Sequence, residues 1–231
     1  MLHVGLLRPR PRVMVEGTMR EAQRLVSERG IMQSPSSSGK TEGILDCGNY
    51  FVRRLTVEDA SDRWASWTVD PEAANMLNAP ERSMSKADLV QYIKRFDQQS
   101  HLLSGIFEKR SGKHIGILRT DIDWDSGQCL INMLIGEPEY RNHGVASELT
   151  VPCRDWVFET LGLKTMKATA LARNKIVIHY MLATGWKLDK TLKQHVKSHA
   201  DGTMLDLCFF SLSRDDWRAW KQANLAGKPE Q

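Results

Sequence analysis

Arg141-Asn142-His143-Gly144-Val145-Ala146 joins a basic residue, a glycine turn and the start of a helical pattern. An apolar run of strand character, Cys129 to Gly136, comes just before it. A glycine-bearing turn between strand and helix is an anion site. Unpaired backbone N–H groups point outward there, and the helix dipole favours negative charge. The guest that fits is a phosphate or pyrophosphate, held by main chain more than by side chains, with the Ser147 hydroxyl as a further donor. Gly144 matters because a side chain there would obstruct close approach. The plainer alternative is an ordinary turn carrying a surface arginine.

Further anchors follow in order along the chain. Tyr50-Phe-Val-Arg-Arg-Leu-Thr-Val-Glu-Asp-Ala60 opens the series, and Ser147-Glu148-Leu149 extends the turn. Asn174, Gly185-Trp186 and Leu207-Cys-Phe-Phe-Ser-Leu212 before Asp216-Trp217 complete it. With these, residues 50 to 221 resemble the GNAT superfamily, the acyl-CoA-dependent N-acetyltransferases. Within it, the branch typified by the ribosomal-protein N-terminal acetyltransferases (RimJ/RimL-like) is the most similar.

The resemblance implies a mixed α/β fold with a central, mostly antiparallel sheet of six to seven strands flanked by about four helices. It implies direct transfer of an acetyl group from acetyl-CoA to a primary amine, which could be a protein N-terminus, an amino sugar or a small amine. The strand before the turn should splay from its neighbour, offering the backbone of Met133, Leu134 and Ile135 to pantetheine and the thioester. The residues themselves give no separate sign of that splay. Asn174 is a good helix cap, and by resemblance it also contacts the pantetheine arm or the sulfur. Arg173 and Lys175 beside it are solvated charges or partners of the adenosine phosphate.

The acid and base are less defined. Many relatives carry a tyrosine seven residues after this asparagine to protonate the leaving thiolate. Here Met181 stands there, with no proton to give. Tyr180 is one residue earlier, about 100° round the helix, and is either the acid or a packing residue. Glu137, at the end of the cofactor strand, is the candidate base, acting directly or through water; the alternative is an exposed loop carboxylate. Glu139, His179 and Asp123 are lesser candidates. The resemblance implies that Trp64 and Trp67, with the 70-to-84 loop, border the acceptor site; core packing is the alternative for either tryptophan. A non-catalytic acyl-CoA-binding or sensing protein remains the alternative from another class, motivated by Met181 and the undefined base.

Composition limits the other classes. The 231 residues suffice for one domain plus an extension. No stretch approaches the ~20 apolar residues of a membrane span, and the start lacks an apolar core of signal-peptide length. A cytoplasmic location is expected by default. Net charge is +4, but residues 1 to 45 hold seven Lys or Arg against four Glu, and the remainder holds 25 against 24 acids. The part with the motifs is nearly neutral, which argues against a nucleic-acid partner. Four scattered cysteines and seven histidines show no metal-ligand spacing, so no metal is expected. Acetyl-CoA and an amine are the expected partners of a monomer or homodimer.

Residues 1–45 read as a basic extension with a short helix over 19–29 and a Ser/Gly-rich linker; 46–231 read as the catalytic domain. Strands are expected at 50–55, 102–108, 114–123, 129–136, 164–170, 186–196 and 203–212. Helices are expected from the Thr56–Asp59 box to about Trp67, from Ser85 to about Phe96, over 145–161, over 174–184, and after Ser213. Pro152 should kink the 145–161 helix. Residues 70–84 read as a loop.

Overall fold

Short polar turns and alternating apolar residues produce a run of antiparallel strands, described in the computed structural model for residues 44–79 and 83–225. The strands are β1 (Ile44–Cys47), β2 (Tyr50–Arg54), β3 (His101–Glu108), β4 (His114–Asp123), β5 (Gln128–Ile135), β6 (Thr165–Leu171), β7 (Lys187–Lys197) and β8 (Met204–Ser213). They form one sheet in the order β1-β2-β3-β4-β5-β6-β8-β7. Each adjacent pair is antiparallel except β5–β6. That parallel pair needs a crossover, which α4 (Val145–Asp155) supplies.

Among the described residues the sheet has eight strands rather than six or seven. The addition is β1, whose first two residues fall in the stretch read as linker. It hairpins onto β2 through Gly48, in the left-handed region at φ +71°. The Glu148 carboxylate of α4 holds this turn, accepting from Asn49 N at 2.7 Å and Asn49 Nδ2 at 3.1 Å. The rest of the expected extension, with its 19–29 helix, lies outside the described residues.

Among the described residues six helices stand where about four were expected. The Thr56–Asp59 box is real but closes only a short 3₁₀ turn, and Ser61 caps a separate helix, α1 (Asp62–Trp67). The expected 70–84 loop contains α2 (Pro71–Leu77). Its signals are local: Asp70 accepts from Ala73 N at 2.8 Å, and Pro71 takes the first helical position, where its missing N–H costs nothing. Asn78 ends it in the left-handed region at φ 51°. Ser85 and Asp88 cap α3 (Lys86–Ile93) reciprocally, as expected.

The two sheet faces are covered differently. On one, α1 and α3 place Trp64, Trp67, Leu89 and Ile93 over Leu103 and Phe107. On the other, α4 packs beside α5 (Lys175–Ala183) and α6 (Arg214–Leu225), burying Val157, Phe158, Phe210 and Trp217. Pro152 sits inside α4 without breaking it, and the chain then widens into a π-type turn closed by Leu161 N on Trp156 O at 2.9 Å. Arg154 enters the apolar layer and donates to Thr184 O at 2.6 Å and Thr184 Oγ1 at 2.8 Å. Burial pushes its pKa down to about 10, and Trp186 and Trp217 face its guanidinium. The arginine thereby ties the end of α4 to the end of α5. Among the described residues no helix is long and apolar enough to cross a membrane.

Candidate functional site

The 141-to-147 turn opens α4 as a donor-rich cradle. Gly144 is the N-cap at φ 84°, and a glycine has no side chain with which to cap. Ser147 N and Glu148 N turn back to the Gly144 carbonyl at 2.9 and 3.1 Å. The N–H groups of Gly144, Val145 and Ala146 are left without intrahelical partners, as in the first turn of any helix. A Cβ built on Gly144 meets nothing within 4 Å, so the space before the turn is open. Asn142, itself left-handed at φ 61°, His143 and Ser147 are exposed around it, and Val145 is buried as the helix anchor. His143 Nδ1 donates to Arg141 O at 2.7 Å.

Arg141 has a different role from the rest of the turn. Its guanidinium donates to Ile135 O at 3.0 Å and Gly136 O at 2.9 Å, and pairs with Asp70 and Glu72. With its donors spread over four partners and its side chain 14% exposed, it clasps the end of β5 to the start of α2. The Arg141 side chain is thus engaged within the protein, and the donors left open at the turn are the backbone N–H groups that follow.

The splay that the residues could not reveal is present. β5 and β6 pair only at Gln128–Thr165, Cys129–Met166 and Leu130–Lys167, and then both strands continue apart, to Ile135 and Leu171. The Leu134 carbonyl occupies the space a Cβ on Gly116 of β4 would need, and Arg141 takes the Ile135 carbonyl from the other edge. Backbone groups alternate along a strand. Met133 and Ile135 therefore turn their N–H groups into the opening, and Leu134 turns its own toward β4.

Asn174 caps α5, its Oδ1 accepting from Val177 N at 3.3 Å. Met181 is buried in the core beside the sheet. Tyr180 donates to Ala146 O at 2.8 Å and contacts the Thr150 hydroxyl, which also donates to Ala146 O. Burial raises the Tyr180 phenol above its ordinary pKa. Both effects suit a strut between α5 and the cofactor turn better than a proton donor.

Glu137 departs furthest from expectation. It is not an exposed loop carboxylate: its exposure is 0%. Oε1 accepts from Arg63 Nε at 2.5 Å and Trp67 Nε1 at 2.8 Å, and Oε2 pairs with Arg63 Nη2 and with Lys113 Nζ at 2.9 Å. Burial alone would raise its pKa, but these donors outweigh it and hold the carboxyl at about 2. A carboxylate so fully engaged is a poor acceptor for an amine proton, so this environment argues against Glu137 as the base. It instead pins α1 and the β3–β4 hairpin to the end of β5. Gly136 allows this by leaving room for the Trp67 ring, which lies where its Cβ would stand. Trp64 and Trp67 are accordingly core residues, at 3% and 4% exposure.

Two of the three lesser candidates are also engaged within the protein. Glu139 pairs with Lys113 at 2.5 Å, Asp123 accepts from the N–H groups of its own turn, and His179 lies exposed on α5. His114, packed against Phe107, Trp64 and Trp67, is pushed by burial down to about 4 and stays neutral. Among the described residues no group of three or more His, Cys, Asp or Glu could hold a metal ion. Sequence reasoning missed the Arg63–Lys113–Glu137 knot and the Asp70–Arg141 clasp. Arg63 and Glu137 lie 74 residues apart and Asp70 and Arg141 lie 71 apart, so no local pattern joins them.

A family model described as an acetyltransferase (GNAT) domain matches residues 50–187. No curated protein matches the chain in sequence. Among solved structures, a GCN5-related N-acetyltransferase from Brucella melitensis is 19% identical at a TM-score of 0.66, covering 80% of this chain and 85% of that one. A ribosomal-protein-S5-alanine acetyltransferase from Vibrio fischeri is 18% identical at 0.65, with 76% and 98% covered. A spermidine N-acetyltransferase from Vibrio cholerae, solved with CoA and spermine, is 15% identical at 0.66, with 74% and 98% covered. At these identities the likeness concerns the fold.

Proposed function

Because the chain belongs to the GNAT acetyltransferase family, we propose that it transfers an acetyl group from acetyl-CoA directly to a primary amine. The observation that carries this reading is the parting of β5 and β6 after Leu130–Lys167, at whose mouth α4 begins with a glycine cap. Acetyl-CoA supplies an activated acyl group, and the chain's own residues hold and orient it.

The N–H groups of Gly144, Val145 and Ala146 and the Ser147 hydroxyl hold the pyrophosphate. Met133 and Ile135 direct their N–H groups at the pantetheine and the acyl oxygen, where backbone donors are typically worth about 3 kcal/mol each. Asn174 stands at the far side of the opening. Tyr180 fixes the first turn of α4 through Ala146 O. Glu137 fixes the end of β5 and takes no proton.

The acceptor class is an amine. Two of the similar structures bear names for amine acceptors, an alanine of ribosomal protein S5 and spermidine. A protein N-terminus, an amino sugar and a small amine all fit this chemistry. The test is calorimetric titration with acetyl-CoA, followed by an amine panel with thiol detection. Micromolar binding with thiol release supports the proposal. Binding without release from any amine would favour a sensing role, and no binding by the folded chain would overturn the site.

A further inference from the structure

Helix α2 bridges the gap where β5 and β6 diverge. One end is fixed to β5: Asp70 and Glu72 hold Arg141, whose guanidinium also takes the Ile135 and Gly136 carbonyls. The other end is fixed beyond β6. Arg173, two residues past that strand, donates to Asn75 O. Asn78 Nδ2 donates to Lys197 O at 2.9 Å, and its Oδ1 accepts from His199 N at 3.0 Å, both in the β7–β8 hairpin. The β5–β6 ladder stops at Leu130–Lys167, so the strands are tied again, at their far ends, through α2.

We infer that α2 is a crossbar that sets the width of this opening, with Arg141, Arg173 and Asn78 as positioning residues for acetyl transfer. The inference rests on the proposed reading of the opening as the acetyl-CoA site. Its physical basis is the tolerance of the reaction to displacement. The Met133 and Ile135 N–H groups act on the acyl oxygen only within hydrogen-bond reach, and a misplacement near 1 Å can lower the rate by roughly 10²-fold. Cofactor affinity, by contrast, resides mainly in the glycine turn, which the Arg173–Asn78 end of the crossbar does not touch. Loosening that end should therefore change the rate of transfer more than the binding of acetyl-CoA.

Asn78→Gly and Arg173→Ala test this. Asn78→Gly removes both hairpin contacts while leaving the left-handed cap unstrained, because glycine accepts that conformation. Three quantities would be read in each folded variant: the acetyl-CoA dissociation constant, kcat with a saturating amine, and amide hydrogen exchange at 131–135 and 168–171. The expected result is a kcat loss of about 10-fold, a dissociation constant within about 2-fold, and faster exchange on both strand ends. Arg173→Lys, which keeps one donor for Asn75 O, should recover part of the rate. Unchanged exchange, or a kcat loss matched by lost cofactor affinity, would overturn the crossbar. The exchange readout does not depend on turnover. A wild-type chain inactive on every amine would count against the proposed reaction, while faster exchange in the variants would still support the crossbar.

Discussion

Replacing Glu137 by Gln separates a structural carboxylate from a catalytic one. The substitution keeps shape but places an NH2 group among donors from Arg63, Lys113 and Trp67, so at least one donor loses its acceptor. The pKa drop from 4.5 to about 2 corresponds, at 1.36 kcal/mol per unit, to about 3 kcal/mol. Solvent reduces this, since the Arg63 and Lys113 side chains are 57% and 36% exposed, and about 2 kcal/mol is the expected loss at pH 7. In a domain of this size that lowers Tm by about 4–8 °C.

The pH dependence has a definite sign. A carboxyl whose folded pKa is depressed stabilises above its unfolded pKa and loses that contribution as pH falls. The stability gap between wild type and Glu137→Gln should thus be full at pH 7 and shrink as pH falls from about 5 toward about 2. Urea denaturation across that range measures it. Activity gives the second readout. A lost general base lowers rate by roughly 10²–10⁴-fold, whereas a lost pin should lower it by less than about 10-fold in a folded sample. A 100-fold loss with unchanged stability would refute the reasoning, and so would a gap that persists undiminished at pH 2.5.

Two further outcomes follow from the cofactor turn. Gly144→Trp should abolish measurable acetyl-CoA binding in calorimetry while circular dichroism shows an intact fold, because the new ring projects into the open space before the turn. Unchanged affinity would place the phosphates elsewhere. Tyr180→Phe should cost about 1 kcal/mol of stability for the lost hydrogen bond to Ala146 O and change kcat by less than about 5-fold; a loss of 100-fold or more would make Tyr180 the acid after all.

Local order was legible in the residues, and convergence was not. The strands at 114–123 and 129–136 and the helices after Ser85 and Asn174 announce themselves through periodicity and caps, which act over a few residues. Helix α2 was equally local, since an Asp-Pro start and an Asn end frame it, but its proline and asparagines read more simply as loop. The splay was invisible because strand separation leaves no mark on side-chain alternation. The buried setting of Glu137 was hidden for a related reason. Its position after β5 was correct, while its meaning depends on Arg63 and Trp67, 74 and 70 residues away.

With Glu137 held ionised and Tyr180 committed to Ala146 O, the proton balance of the reaction shifts to the substrates. The amine must then reach the opening already neutral or lose its proton to water, and the sulfur leaves as thiolate or takes a proton from water. If so, the pH profile of kcat/KM belongs to the acceptor and not to the chain. It should rise about tenfold per pH unit below the amine's pKa and level off above it. A peptide N-terminus titrates near 7.7–8.0 and a lysine-like alkylamine near 10.4. Profiles recorded with one acceptor of each kind should therefore have midpoints about 2.5 units apart. A base on the chain that accepts the proton of a bound ammonium would give both acceptors the same midpoint. Coincident midpoints would require a proton acceptor among the chain's own residues.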